Sequence, residues 1–169
     1  MTLEPRPVSD SQTQLVQWMG IQHANSAGFI HGGSVMKLCD EAAGVVAVKH
    51  SRCRVVTAGV DRMAFVTPVH VGELVTFSAS VNAVWNTSME IGVRVEAENP
   101  RTGERHHTNS AYLTMVALDE DGRPTEVPPL LAESADEQRR EREAQTRRRN
   151  RLAERDEIQA ARSRPGAAS

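Results

Sequence analysis

Apolar and polar residues alternate along three consecutive stretches in the second half of the chain. From Val75 to Ala83 every second residue is apolar, and Thr, Ser or Asn occupies each position between. The same alternation runs through 88–98 and returns in 106–119, with turn-forming residues at 99–103 and after 118. A two-residue period is that of a strand with one buried face. The short connections favour neighbouring antiparallel strands over strand–helix–strand units.

A helical period replaces the alternation in the segment that follows Gly32 and Gly33 and ends near His50. Lys37 and Glu41 lie on one side of this helix, four residues apart, and can pair on the surface. The helix lacks a broad polar face, which indicates that a curled sheet buries most of its sides. Its predicted core face consists of small and medium apolar residues: Val35, Cys39, Ala42, Ala43 and Val46.

Two further segments are predicted to be strands. β-Branched residues are frequent in Arg54–Val69, where Pro68 marks the end, and an early strand is expected at Gln12–Met19. The predicted fold class is therefore α+β, with one long central helix wrapped by a curved antiparallel sheet.

Composition divides the chain into three parts. Residues 1–8 are expected to form a flexible N-terminus, residues 9–130 the folded domain, and residues 131–169 a charged C-terminal tail. The tail mixes charges of both signs and has few large apolar residues. It is therefore expected to be a solvated helix held by pairs four residues apart, or to be disordered. A domain of this size has a small core, so we expect burial by self-association.

The overall charge and the cysteines narrow the class of protein. A formal net charge of −2 with 39% hydrophobic residues is an ordinary globular profile and does not suggest a nucleic-acid binder. No apolar run is long enough for a bilayer and the N-terminus lacks a signal pattern, so the cytoplasm is the expected location. Cys39 in the helix and Cys53 just past its end are expected to be free thiols.

Asp40 is the residue that the helical pattern explains least. It lies at the seam between the core face and the polar face, where a carboxyl group is partly shielded from water. Such an acid can take part in catalysis, or it can hydrogen-bond to a neighbouring strand or subunit. Its position alone leaves both alternatives open.

The residues before the helix offer further polar groups. The first amides of a helix lack internal partners, and Gly32 and Gly33 let a ligand approach them, although glycines serve a tight turn equally well. Asn25 can position a water or a carbonyl, or it can be an ordinary loop residue. His31 can be a donor, an acid–base group or a packed loop residue. The spacing of the histidines and cysteines specifies no metal site.

Together these residues resemble a known family. The pattern N-x-x-G-x-x-H-G-G-x-x-M-x-x-x-D-E-A-A-G, from Asn25 to Gly44, is similar to the acyl-CoA hydrolases, which are acyl-CoA thioesterases of hotdog fold. The resemblance continues through 55–65, 68–79 and 87–95 in the same order, and it covers about Gln22 to Leu118. Many relatives carry Phe where this chain has His31, which leaves the preferred acyl group open.

The resemblance implies a hotdog fold, a dimer with one continuous sheet, and commonly a trimer of dimers. The active site would lie at the dimer interface, with Asn25 of one subunit facing Asp40 of the other. The Gly33 amide would polarise the thioester carbonyl, and Asp40 would act either as general base or as nucleophile. Asp61 and Ser88 have equally good structural alternatives, as a strand-end ion pair and a turn residue. The residues expected to bind substrate are His31, Gly32, Val60, Asp61, Arg62, Thr87, Ser88 and Met89.

The implied function is hydrolysis of acyl-CoA to a carboxylate and free CoA, in fatty acid metabolism, without a metal or redox cofactor. CoA is then part of the substrate, and neither nucleic acid nor membrane is an expected partner. A non-catalytic acyl-CoA sensor with the same groove is one alternative. A hotdog hydratase is another, but the helix carries no histidine one turn from Asp40. Nucleic-acid binding by the arginine-rich tail is weakened by its interspersed acidic residues.

Overall fold

The computed structural model describes residues 3–163 and contains seven strands and two long helices in that range. Short 3-10 turns follow the first strand and precede the first helix. The elements are β1 (Arg6–Pro7), β2 (Thr13–Trp18), α1 (Gly32–Ser51), β3 (Arg54–Val60), β4 (Leu74–Val84), β5 (Ser88–Glu98), β6 (Arg105–Leu118), β7 (Leu130–Leu131) and α2 (Ala135–Arg162).

Five strands form the main sheet in the order β2-β4-β5-β6-β3, and every neighbouring pair is antiparallel. The three alternating stretches of the sequence are the three central strands. Ala79 pairs with Val93, and Val93 pairs with Ala111, so inward-facing apolar residues form rows across the sheet. β2 and β3 are the two edges. The predicted α+β class, with its antiparallel sheet and early strand, is confirmed.

α1 lies across the inner face of this sheet and contacts all five strands. The face predicted from the helical period is buried, with every residue of it at most 2% exposed. The helix begins after His31, its N-cap, and ends before Arg52, whose left-handed φ of 60° lets its amide donate to Val48 O. Lys37 and Glu41 pair on the surface at 3.1 Å, as predicted.

α2 packs on the outer face of the sheet, opposite α1. It begins at a capping box in which Ser134 accepts from the Glu137 amide. Its Ala144 is fully buried, and its Gln145 Oε1 accepts a hydrogen bond from Trp85 Nε1 at 3.0 Å. The helical alternative for the tail is therefore the one observed, but this helix of 28 residues is bound to the sheet along part of its length rather than solvated throughout. Residues 164–169 of the expected tail lie outside the described range.

Two boundaries differ from the sequence expectation. The strand predicted over Arg54–Val69 ends at Val60. The Asp61 amide still donates to Tyr112 O at 2.9 Å, and the chain then leaves the ladder until Val66, whose amide donates to Thr108 O at 3.0 Å. Of the N-terminal residues expected to be flexible, Met1 and Thr2 lie outside the described range, whereas β1 pairs in parallel with β7. None of the helices within 3–163 has both the length and the apolarity that a membrane crossing requires.

Candidate active site

Asp40 lies where α1 faces the edge strand β3. Thr57 Oγ1 donates a hydrogen bond to Asp40 Oδ1 at 2.6 Å and lies 3.4 Å from Met115 Sδ. The other carboxylate oxygen, Oδ2, has no hydrogen-bond partner among the residues described. No local pattern indicates this role for Thr57, because a threonine in a β-branched strand resembles any other strand residue. The bond holds the carboxylate in one orientation and leaves Oδ2 available.

Asp40 is exposed in the single protomer, which differs from the partial shielding expected at the helix seam. The reason is that β3 ends the sheet, so no further strand of the described chain shelters this side of the helix. Met36, Gly44 and Val48 follow at four-residue steps on the same side, and Met36 and Val48 are 44% and 46% exposed. They place the carboxylate within an exposed apolar surface, which is typical of a face that a partner covers.

The Gly33 amide already has a partner in the protomer. His31 Nδ1 accepts its hydrogen at 2.9 Å, so His31 caps the helix. The Phe65 ring lies 3.4 Å from the position that a Cβ on Gly32 would take, which is an ordinary van der Waals distance, so this contact alone does not require glycine. A substrate carbonyl that uses the Gly33 amide therefore has to displace the His31 ring.

Asn25 organises the loop before α1. Its Oδ1 accepts hydrogen bonds from the amides of Ala27 at 2.9 Å and Phe29 at 3.2 Å. Its Nδ2 makes no hydrogen bond within the described chain, so only the donor end of the side chain is available to a ligand. No hydrogen bond joins Asn25 to Asp40 in the described protomer, so their expected meeting across two subunits remains a prediction.

Val60, Asp61 and Arg62 follow one another at the end of β3, and the last two bind α2 rather than each other. Arg151 Nη1 lies 2.6 Å from Asp61 Oδ2, and Arg62 Nη2 lies 3.5 Å from Glu154 Oε1. The segment that the family resemblance assigns to the CoA groove is therefore attached to a helix that lies outside the resembling region.

A groove separates this segment from the second half of α2. Arginine supplies most of its charge, which suits an anionic ligand. Sequence patterns did not predict this groove, because most of its arginines lie in the stretch expected to be a solvated tail. The groove is lined by residues that include Arg62, Tyr112, Arg151, Arg155, Ile158 and Arg162.

The turn at Thr87–Met89 lies away from this groove within one protomer. Ser88 pairs with Val116 of β6, whereas Val60 pairs with Leu113 on the opposite side of that strand. Met89 is fully buried in the core, and Thr87 is half-buried. The structure therefore does not bring Thr87, Ser88 and Met89 to the Val60–Arg62 segment of the same chain.

The thiols and metal-ligand residues offer no further chemistry at this site. Cys39 and Cys53 are both free, as predicted. Burial raises the pKa of Cys39 to about 12, and the charge of Asp40 adds to the rise, while a hydrogen bond with Asn109 opposes it. Cys39 is therefore protonated near neutral pH and is not a nucleophile. Residues 3–163 contain no cluster of three or more side chains suited to bind a metal.

Sequence comparison relates the chain to known hydrolases. The profile of the thioesterase superfamily matches residues 27–104. The chain is 39% identical over 146 residues to the cytosolic acyl coenzyme A thioester hydrolase of Rattus norvegicus. This match covers 85% of the chain, but the chain spans only 38% of the length of that relative.

Two solved structures match this chain over nearly their whole length, unlike the rat relative. An apo-hexameric acyl-CoA thioesterase superposes with a TM-score of 0.87 at 36% identity, covering 90% of this chain and 97% of its own. The acyl-CoA hydrolase of Staphylococcus aureus, solved with butyryl coenzyme A and coenzyme A, superposes with a TM-score of 0.85 at 29% identity, covering 92% and 95%. Variants of the same enzyme with an asparagine, an aspartate or a threonine replaced by alanine are also structural neighbours.

A long helix wrapped by a five-stranded antiparallel sheet, with a carboxylate held at the sheet edge, defines the class. The chain belongs to the thioesterase superfamily and has the hotdog fold. Within that superfamily it is a member of the acyl-CoA hydrolase family, as the sequence motif indicated.

Proposed function

We propose that the protein hydrolyses acyl-CoA thioesters to a carboxylate and free CoA at a site built around Asp40. The observation that carries the proposal is the setting of this carboxylate. Thr57 holds it within an exposed apolar surface, beside a strand edge that no other strand of the described chain covers. The S. aureus relative, solved with butyryl coenzyme A, supports a CoA thioester as the substrate class. The reaction requires no metal or redox cofactor, and CoA enters with the substrate.

A second copy of the chain would complete the site. An unpaired strand edge is a template for pairing with an identical strand, and two-fold pairing of β3 would create one continuous sheet. Val56, Val60 and Phe65 are 46%, 46% and 47% exposed at this edge, so the pairing would bury apolar surface. It would also shelter Asp40 and bring Asn25 of the partner subunit towards it. The hexameric relative supports a further assembly into a trimer of dimers.

Asp40 acts as a general base in this proposal. Thr57 occupies Oδ1, so Oδ2 takes a proton from a water that attacks the thioester carbonyl carbon. Negative charge develops on the carbonyl oxygen, where the Gly33 amide and Nδ2 of Asn25 donate hydrogen bonds. Collapse of the tetrahedral intermediate breaks the C–S bond, and the CoA thiolate takes the proton back from Asp40.

Direct attack by Asp40 is the competing chemistry. It would form an acyl–aspartyl anhydride, which water would then open. Hydroxylamine added during turnover would convert such an anhydride to a hydroxamate on Asp40, which mass spectrometry of the Asp40 peptide detects. A general base leaves the peptide unmodified.

CoA binds at the Val60–Arg62 end of β3 in this proposal. The groove beside that segment carries an excess of arginine, which suits the phosphates of CoA. His31 and Gly32 lie at the helix start, where the thioester would enter. The Thr87–Met89 turn could serve only a site on another subunit, because its own chain keeps it apart from this groove.

The test is release of free thiol from a panel of acyl-CoAs of increasing chain length. A thioesterase releases CoA from at least one of them, whereas a non-catalytic sensor binds CoA with saturation and releases none. A hydratase would change the absorbance of an enoyl-CoA without liberating thiol. The name of the rat relative supports the cytoplasm as the proposed location.

A further inference from the structure

A fully buried glutamate anchors α2 to the outer face of the sheet. Glu90 lies on β5 with no exposed surface, and Arg147 of α2 makes three contacts to its carboxylate, at 2.7, 3.1 and 3.2 Å. Asn82 Nδ2 donates a further hydrogen bond at 3.1 Å. Burial by itself lowers the pKa of Arg147, but the hydrogen bonds and charge of Glu90 outweigh it, and the net effect is a raised pKa. Arg147 is therefore charged in the folded protein.

Arg151 extends this buried network to the edge of the sheet. Its Nη1 lies 3.4 Å from Glu90 Oε2 and 2.6 Å from Asp61 Oδ2, so one guanidinium bridges a buried and a half-buried carboxylate. Its side chain is 30% exposed, which leaves water little access to the bridge. One turn further along α2, Glu154 contacts Arg62. Helix α2 therefore contacts two consecutive residues of the segment that leaves β3, through a partly buried pair at Asp61 and through a largely exposed pair at Arg62.

The sheet itself holds this segment by few backbone bonds. Asp61 has one, from its amide to Tyr112 O, and the next bond to β6 comes from the Val66 amide to Thr108 O at 3.0 Å, while Met63 between them packs on the core. Edge residues with few ladder bonds open locally at low cost in free energy. Between these two backbone bonds, the side-chain bridge from Arg151 restrains the direction in which Asp61 points.

We propose that Arg151 is a positioning residue for CoA binding, with α2 acting as the support that orients the Val60–Arg62 segment. The inference rests on the proposed function, since it assumes that this segment contacts CoA. Arg147 attaches the helix to buried Glu90, and Arg151 connects the same carboxylate to Asp61. Affinity for acyl-CoA then depends on a charge bridge from Arg151, which lies outside the region that carries the family resemblance.

The two arginines make different contacts, so replacing Arg151 alone tests the proposal. Replacing Arg151 with glutamine leaves Glu90 bound to Arg147 and Asn82, so the fold is retained, but it releases Asp61. KM for the best acyl-CoA substrate is expected to rise about tenfold, the effect of losing one charge-assisted hydrogen bond, while kcat changes less than twofold. Amide exchange in residues 60–63 is expected to accelerate, a readout that does not depend on activity.

Two further variants separate positioning from general stability. Arg139→Gln is the matched control, because Arg139 lies on the same helix and pairs only with Asp136 and Glu143 of α2. It should leave KM, kcat and the exchange of residues 60–63 unchanged. Arg151→Lys keeps a cation within reach of Asp61 and should recover more than half of the lost affinity.

Wild-type KM and wild-type exchange in Arg151→Gln would overturn the inference while leaving the proposed function intact. A tenfold rise shared by Arg139→Gln would also overturn it, as a nonspecific effect of helix charge. If Arg151→Gln does not fold, Asp61→Asn removes the same bridge from the other side and has to reproduce the faster amide exchange of residues 60–63 as well as the rise in KM. Failure of the wild-type protein to release thiol or bind CoA would instead reject the proposed function, and this inference with it.

Discussion

Replacing Arg147 with methionine leaves a charged carboxylate buried without its main partner. Glu90 is fully buried, and Arg147, whose side chain is 21% exposed, provides three of its contacts. Breaking a buried ion pair from one side costs about 3–5 kcal/mol. Arg151 and Asn82 remain within 3.4 and 3.1 Å, so we expect the lower end, about 3 kcal/mol.

Thermal unfolding followed by circular dichroism measures this cost. At about 2–4 °C per kcal/mol for a domain of this size, the Tm should fall by about 6–12 °C. The double variant Glu90→Gln with Arg147→Met should recover most of the loss, because it removes the uncompensated charge. Arg139→Met, on the exposed side of the same helix, is the matched control and should leave the Tm unchanged. An equal Tm for wild type and Arg147→Met would refute the buried charge network as the attachment of α2.

Three other predictions follow from single side chains. Burial lowers the pKa of His50, so the unfolded chain binds the proton more readily than the folded chain does. The stability that neutral His50 contributes should therefore be fully present above a pH of about 6.5 and should fall below it. The Tm of His50→Gln should lose part of that pH dependence. Ellman's reagent should label Cys53 but not Cys39 in the native protein, and both after denaturation; two fast thiols in the native protein would contradict the burial of Cys39. Thr57→Val removes the hydrogen bond to the Asp40 carboxylate and should lower kcat about tenfold or more with little change in Tm. An unchanged kcat would exclude the proposed role of this bond.

Hydrophobic periodicity was sufficient to predict the sheet and its central helix. The inner face of β4 and the core face of α1 are each buried against several neighbouring elements. Apolar residues therefore recur along the sequence at the period of the strand or of the helix, and this pattern is easy to recognise. The strand β3 was placed correctly at its start and extended too far, because β-branched residues continue past Asp61 where the backbone leaves the sheet.

The outer layer could not be predicted from the same pattern. Glu90 occupies a polar position of an alternating strand, which predicts exposure, yet α2 buries it completely. That helix binds the sheet through arginines rather than through an apolar stripe, so its composition resembles a solvated tail. An ion pair between residues 57 positions apart leaves no local signal in a sequence.

The candidate site was predictable as a set of residues but not as a geometry. The motif identifies Asn25, Gly33 and Asp40, and each lies at a surface of α1 or its preceding loop. It does not show that His31 occupies the Gly33 amide or that Thr57 fixes the carboxylate. These contacts depend on how the loop and the edge strand fold back onto the helix.

Turnover of the Asp40→Asn variant tests the central claim most directly. Asparagine keeps the size of the side chain and can still bond to Thr57, but it cannot take a proton from water. Thiol release should fall by at least about 10²-fold, the usual scale for a lost general base, while the Tm and the affinity for CoA stay at wild-type values. Wild-type turnover in a correctly folded Asp40→Asn protein would show that this carboxylate does not carry the hydrolysis.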